Sequence, residues 1–316
     1  MRQVADLHCD VLSKMLRDDK VTLGPPNDGK LDVTLGRLRQ GGIGLQVFAM
    51  WVPDELAKTP ETLLRAAELF WSKVLTCEGM RLVRKPADVE SVLSGTDPGL
   101  TGALLSLEGV NALQGQWWAL RLLHRLGLRL LGPTWNHANW ACDGVGEPRG
   151  GGLTKAGRQL VAECEKLGIL IDVSHLSDRG FWDLADAASR PFFASHSNSR
   201  RLCDNPRNLT DDQIRALIAV DGLVGLTFVP YFVTVPGPAT IDDVLRQVEH
   251  VCGLGGERHI AFGSDFDGIE VHVQGLSHPG EYPALAEALI RRYPEAWVKG
   301  WLSGNVRRFL TTNLRE

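Results

Sequence analysis

Short apolar runs alternate with longer amphipathic stretches along most of this chain. Eight runs read as strands: Val4–His8, Ile43–Ala49, Ala103–Leu107, Leu128–Leu131, Ile169–Val173, Phe192–Ser195, Leu223–Phe228 and Ile260–Gly263. Each is short and largely apolar throughout, the pattern of strands covered on both faces. Helical stretches lie between them. Thr154 is placed to cap a helix through Lys166, with Ala156, Leu160, Val161, Cys164 and Leu167 at helical spacing and Gly168 as its stop. Thr210-Asp211-Asp212-Gln213 has the form of a capping box opening a helix to Val220. Ile241–Cys252 repeats the pattern with Val244, Leu245, Val248 and Val251. Eight β–α alternations predict an α/β fold with a parallel sheet, and eight is the number that closes a (β/α)8 TIM-type barrel. Three segments read as loops: Val21–Lys30, Asn139–Gly152 and Val233–Thr240. The second follows the fourth strand, at the catalytic face of such a barrel, where it is either a lid or a mobile connection.

Composition narrows the picture. The 316 residues exceed the common domain size, but α/β barrels reach this length as one unit, so a single domain over 1–316 is expected. A net charge of -4 argues against a nucleic-acid partner, because phosphate binding needs a concentrated basic face. No run of about 18 apolar residues suggests a transmembrane helix. The N-terminus enters a strand at Val4, leaving little room for a signal peptide, and residues 311–316 are too polar for an anchoring tail. A cytoplasmic enzyme with no membrane partner is the expectation. Six cysteines, at 9, 77, 142, 164, 203 and 252, form no Cys-x-x-Cys pair and read as packed thiols.

The candidate chemistry sits at strand ends. Of nine histidines, His8, His137, His175 and His196 fall at or just beyond the C-terminal ends of predicted strands, as do Glu108 and Asp265. In a barrel those ends converge on one mouth. His8 and Asp10 are two residues apart on an extended chain, so they point the same way while Cys9 points oppositely. That geometry suits one shared ion; a plain His–Asp hydrogen bond is the alternative. Glu108 closes an apolar run, where a carboxylate is costly unless paired or metal-bound. It could bridge two ions, cap a helix or pair with an arginine. His175 and His196 end neighbouring strands about 4.8 Å apart and could share a metal. Asp265, after the eighth strand, could shuttle a proton from activated water to a leaving amine. Asp267 reads as a turn residue before Gly268.

Seven motifs then appear in order: Asp-Leu-His-Cys-Asp (6–10), Ser-Leu-Glu-Gly (106–109), Thr-Trp-Asn-His-Ala-Asn (134–139), Asp-Val-Ser-His (172–175), Ala-Ser-His-Ser-Asn (194–198), Arg-Asn-Leu (207–209) and Gly-Ser-Asp-Phe-Asp-Gly (263–268). Over nearly the whole chain the sequence resembles the membrane dipeptidase (renal dipeptidase-like) metallopeptidases of the amidohydrolase superfamily. The resemblance implies a zinc-dependent dipeptidase with two zinc ions per chain. It implies that His8 and Asp10 hold one ion, that His175 and His196 hold the other, and that Glu108 bridges them. It further implies that His137 contacts the substrate carbonyl, that Arg207 binds the substrate's C-terminal carboxylate, and that Asp265 is the proton shuttle. Attack by a metal-bridging hydroxide, a dipeptide substrate that extends to a C-terminal D-residue, and a homodimer are family expectations of the same kind. One position departs: where the family usually has tyrosine after the seventh strand, this chain has Val229, with Tyr231 close by.

The remaining histidines, 124, 250, 259, 272 and 278, read as surface, structural or loop residues. Arg200 and Arg201 read as surface neighbours of Arg207. Among the tryptophans, Trp140 has the best claim to a substrate wall. Two other readings compete. A deaminase usually begins with His-x-His, and lactonases or phosphoesterases of this superfamily usually bridge their metals with a modified lysine; His-x-Asp and Glu108 disfavour both. A non-enzymatic binding protein on a degenerate barrel should have lost ligands, and all five are present.

Overall fold

The structure is a computed structural model, and it describes residues 3–26, 28–95 and 99–315. Asn27 of the loop expected at 21–30 lies outside them, as do Met1, Arg2 and Glu316. Its strands are β1 (Val4–Asp6), β2 (Ile43–Met50), β3 (Met80–Leu82), β4 (Thr101–Glu108), β5 (Leu128–Gly132), β6 (Leu170–Ile171), β7 (Val224–Leu226) and β8 (Ile260–Phe262). All pair in parallel, in the order β6-β5-β4-β2-β1-β8-β7, with β3 beside the start of β4.

The extended segment 192–195 closes the ring between β6 and β7. Val173 N–H donates to Phe193 O at 2.8 Å and Phe193 N–H to Ile171 O at 3.1 Å. On the other side Ala194 N–H donates to Leu223 O at 2.9 Å and Gly225 N–H to Ala194 O at 2.8 Å. The eight predicted runs are thus the eight staves of a (β/α)8 TIM-type barrel. β3 was not predicted, because three residues show no period. A Cβ on Gly225 or Gly263 would lie 2.0 or 1.9 Å from Ser195 O, so both positions must lack one for segment 192–195 to nest here.

Alternation sorts the core. Leu45 and Val47 of β2 join Leu104, Leu130, Leu170, Phe193 and Ala261 in one inner cluster, whereas Phe48 and Met50 pack outward with the helices. Phe309 and Leu310 of the last helix, Asn305–Asn313, complete the inner cluster; Phe193 and Phe309 have ring centroids 5.6 Å apart. This helix seals the end of the barrel opposite the strand-end residues and leaves one open mouth. The predicted helices appear at Lys155–Leu167, Asp211–Ala219 and Ile241–Gly253. Thr154 caps the first through Gly157 N–H, left-handed Gly168 ends it, and capping boxes open the other two.

The 139–152 segment is tied down. Val145 N–H donates to His175 O at 2.8 Å, and Gly146 N–H to Asn136 O at 2.7 Å. Asp143 accepts from Arg149 Nε at 2.7 Å, Arg149 Nη2 at 2.6 Å and Gly151 N–H at 2.8 Å. Trp140 donates its indole N–H to Val110 O at 2.7 Å and packs on Trp117. It therefore does not line the open mouth, where Trp51 and Trp135 stand instead.

Candidate metal centre

β1 delivers His8 and Asp10. Asp6, the last residue of that strand, is fully buried, and its Oδ1 accepts from His8 N–H at 3.2 Å and Ser264 N–H at 2.9 Å. It thereby locks the end of β1 to the end of β8. Asp10 begins the helix Val11–Arg17, and Ser13 Oγ donates to its Oδ1 at 3.1 Å. β4 delivers Glu108, β6 is followed by His175, and segment 192–195 by His196.

The five residues converge. His8 Nε2 lies 3.3 Å from Asp10 Oδ2 and 3.6 Å from Glu108 Oε2. On the other carboxylate oxygen, His175 Nε2 is 2.8 Å and His196 Nε2 3.6 Å from Glu108 Oε1. Two groups that can each hold an ion result, His8–Asp10–Glu108 and Glu108–His175–His196, with donor atoms within 4.8 Å of one another. They share Glu108. A third group, His8–His196–Asp265, overlaps both.

The hydrogen bonds around the imidazoles fit a cation. Ser195 Oγ donates to Asp172 Oδ2, so it accepts from His196 Nδ1 at 2.6 Å. That fixes the ring proton on Nδ1 and leaves Nε2 bare. Asp172 Oδ1 meanwhile accepts from the Ser174 and Ser195 amides. His175 Nδ1 lies 2.9 Å from Asn136 Oδ1. Arg207 Nε, which always carries its proton, donates to the same Nδ1 at 3.1 Å. The bare Nε2 of His196 faces His175 Nε2 at 2.9 Å beside a carboxylate oxygen. His8 Nε2 is buried with no hydrogen-bond partner. Lone pairs and carboxylates so crowded and dry need a positive charge between them.

Electrostatics agrees. Burial pushes Glu108 up to about 8 and Asp265 up to about 7, with His8 opposing both shifts. Burial presses His8 down, but Glu108, Asp10 and Asp265 outweigh it and carry His8 to about 10. Burial, with Arg207 and His8 adding to it, drives His175 well below the usual imidazole range. Burial and then His8 and Arg207 do the same to His196. Neutral imidazole, the ligand form, is thus favoured at His175 and His196, whereas a cation bound at His8 takes the place of its proton.

Backbone strain marks the same place. His175 (φ 72°), Asp265 (φ 67°) and Asp267 (φ 69°) adopt left-handed conformations without being glycine. Above the cluster opens a cavity of about 640 Å³, lined by Asp10, Glu108, His175 and Asp265 at its floor, and by Trp51, Trp135, Asn136, Tyr231 and Phe232 on its walls. That size is ordinary for a small-molecule site.

The other expected residues are placed as follows. Asp265 Oδ1 is 3.9 Å from His8 Nε2, at the cluster. Arg207 is buried; its Nη1 donates to Ser197 Oγ at 2.8 Å and its Nη2 to His196 O at 3.0 Å. His137 stands apart: it is exposed, with its ring 6.5 Å from that of Trp135, and its neighbour Asn136 lines the cavity instead. Val229 is buried, whereas Tyr231 is 52% exposed and faces the cavity. Arg200 is a clamp rather than a loose surface residue: its Nη1 and Nη2 each reach the Asp178 carboxylate at 2.8 Å. Asp267 is no plain turn residue, for it is buried and bonded on both oxygens. Asn136, Ser195 and Asp172 also escaped the sequence reading, although all three lie inside the quoted motifs.

Comparison with known proteins finds metallopeptidases and dipeptidases. The sequence pattern of membrane dipeptidases, peptidase family M19, matches residues 2–314. The chain belongs to this family. Dipeptidase aclJ of Aspergillus oryzae is 31% identical over 296 residues, 88% of this chain and 69% of that protein. A Klebsiella pneumoniae protein encoded in the pqqA 5' region is 37% identical over 200 residues, 60% of this chain and 73% of its own. Among solved structures, a metallopeptidase from Rhodobacter sphaeroides bound to a phosphinate mimic of L-Ala-D-Ala matches with TM-score 0.89 and 30% identity over 99% of both chains. Dipeptidase AC, an M19 metallopeptidase, matches with TM-score 0.89 and 32% identity over 99% of this chain and 98% of its own. As an M19 member the chain is a metallo-dipeptidase, a hydrolase acting on peptide bonds. Among the described residues no helix is long and apolar enough to cross a membrane.

Proposed function

We propose that this M19 dipeptidase binds two zinc ions and hydrolyses dipeptides, including those with a C-terminal D-residue. His8 and Asp10 hold one ion, His175 and His196 the other, and Glu108 both. The observation that carries this reading is the pair of ligand groups sharing Glu108 at the floor of one cavity. The mixed imidazole and carboxylate donors suit zinc, a borderline ion. When bound, the ions polarise the scissile carbonyl and make water a nucleophile near neutral pH.

The chain's own residues do the rest. Asp265 takes a proton at its carboxylate and delivers it to the leaving amine nitrogen. Beyond its bonds to His175, Ser197 and His196, Arg207 keeps one N–H on each terminal nitrogen, and that planar fork takes the substrate's C-terminal carboxylate. His137 turns inward from the rim to meet the carbonyl oxygen. Trp51, Trp135 and Phe232 give the walls apolar surface that excludes water from the scissile bond. The D-residue reading draws support from the L-Ala-D-Ala mimic held by the Rhodobacter relative. The whole chain, 1–316, acts as one barrel unit. Purified protein should release amino acids from dipeptides, lose this activity to a chelator and regain it with zinc. Metal analysis should give two equivalents per chain. A zinc-replete preparation that cleaves nothing in a panel of L,L and L,D dipeptides would overturn the proposal.

A further inference from the structure

Asp267 has an unusual environment for a residue beside an open cavity. Its side chain is fully buried. Oδ1 accepts from Asp32 N–H at 2.8 Å and Oδ2 from Val33 N–H at 3.0 Å. The clasp is reciprocal, because Asp267 N–H donates to Asp32 Oδ2 at 3.1 Å. Lys14 Nζ sits 3.0 Å from Asp267 Oδ1, and His272 Nε2 lies 3.1 Å from Asp32 Oδ2. Lys14 belongs to the helix that Asp10 begins. One carboxylate thus ties three pieces together: the loop after β8, the segment at 32–33, and the helix that follows the first candidate ligands.

This carboxylate is two residues from Asp265, and both residues hold left-handed backbone conformations. A loop in that conformation tends to relax unless its surroundings hold it. Phe266, between them, is buried in the aromatic core against Phe228 and Tyr282, so the loop is held from the core side as well. The Asp267 clasp supplies the hold on the cavity side. Gly268 follows, and a Cβ there would lie 2.6 Å from Asp265 Oδ1, which shows how little slack the Asp265 carboxylate has.

We infer that Asp267, braced by Lys14 and the Asp32 and Val33 amides, is a positioning residue that aims the Asp265 carboxylate at the leaving nitrogen. The inference rests on the proposed role of Asp265 as proton shuttle. Asp267 makes no contact with substrate; it acts by fixing a backbone that would otherwise move. A misplacement of about 1 Å at a reacting group costs up to about 100-fold in rate.

The test is a double-mutant cycle on the zinc-loaded enzyme with a dipeptide substrate. Asp267→Asn keeps the size but cannot accept from both amides and Lys14 together. It should lower kcat about 10- to 100-fold with KM little changed and two zinc ions retained. Asp265→Asn should lower kcat at least as far. In the Asp265→Asn background, Asp267→Asn should cost almost nothing more, since there is no carboxylate left to aim. Lys14→Met, which keeps the apolar stem, should behave like Asp267→Asn, and it carries the test if the aspartate variant fails to fold. Losses that multiply in the double variant, or a fall in thermal stability with unchanged kcat, overturn the inference. An Asp265→Asn enzyme with wild-type kcat overturns the shuttle reading itself, and that outcome is visible separately.

Discussion

Gly268 has no room for a side chain beside two carboxylates of the cavity floor, and Gly268→Ala is a sharp perturbation of both. The added methyl would lie 2.4 Å from Asp10 Oδ2 and 2.6 Å from Asp265 Oδ1. Ordinary contact begins near 3.4 Å, so one or both carboxylates must retreat by up to about 1 Å. Neither can do so freely: Asp10 is tied to Ser13, and Asp265 hangs on a strained loop. A shift of about 1 Å at groups that hold an ion or a reacting proton predicts a loss of roughly 100-fold in kcat/KM. Gly268 itself is exposed and its backbone needs no positive φ, so unfolding free energy should change by no more than about 0.5 kcal/mol. The assay is amino-acid release from L-Ala-D-Ala and L-Ala-L-Ala with zinc in excess, alongside a thermal melt. A kcat/KM within threefold of wild type would refute the steric reasoning. A large drop in stability would place the damage in the fold instead of the site.

Other outcomes follow from the same geometry. Ser195→Ala removes the acceptor that orients His196 and should weaken zinc binding about 10- to 100-fold, measured by competition with a chelator. Arg207→Lys trades a fork for a point charge and should raise KM about tenfold for dipeptides while leaving zinc content unchanged; an unchanged KM would remove Arg207 from the carboxylate site. His137→Gln should lower kcat without loss of metal if the ring turns inward, and unchanged kinetics would leave it a rim residue. The Asp143–Arg149 pair predicts a pH effect on stability. The Arg149 hydrogen bond, together with the Gly151 amide, holds the Asp143 carboxyl below its usual range despite some opposing burial. A depressed folded value means this contribution is present above the unfolded carboxylate range and is lost as pH falls through the folded value. Thermal melts from neutral to acid pH should therefore show a shallower acid limb in Asp143→Asn, which should itself cost about 1 kcal/mol because Arg149 is largely solvated.

What the sequence reveals and what it hides divide along a physical line. Each predicted stave is a local apolar run, so the barrel could be read from spacing; the strand ends marked the candidate residues, and the family resemblance supplied their roles as ligands. The supporting residues could not. Asp267 looks like any aspartate before a glycine, and its partners at 32 and 33 lie 235 and 234 residues away. Asn136 and His137 are neighbours, and only the local turn decides which of them enters the cavity. Trp140 was favoured over Trp135 because it sits in a glycine-rich loop, but its indole N–H finds Val110 O and turns it away. Segment 192–195 reads as a strand by composition, and its place in the ring depends on the bare backbone of Gly225 and Gly263.

The candidate site residues span much of the chain, from His8 beside β1 to Asp265 beside β8, and Asp6 joins those strands through Ser264. Ribosomes make this protein from the β1 end. His8 and Asp10 therefore emerge about 250 residues ahead of Asp265. The centre cannot be complete until β8 has left the exit tunnel and paired with β1. Truncated or stalled chains present an open imidazole and carboxylates without the partners that make them a site. Assembly of the working site, with Asp265 in place, is in this way a late event that waits for β8.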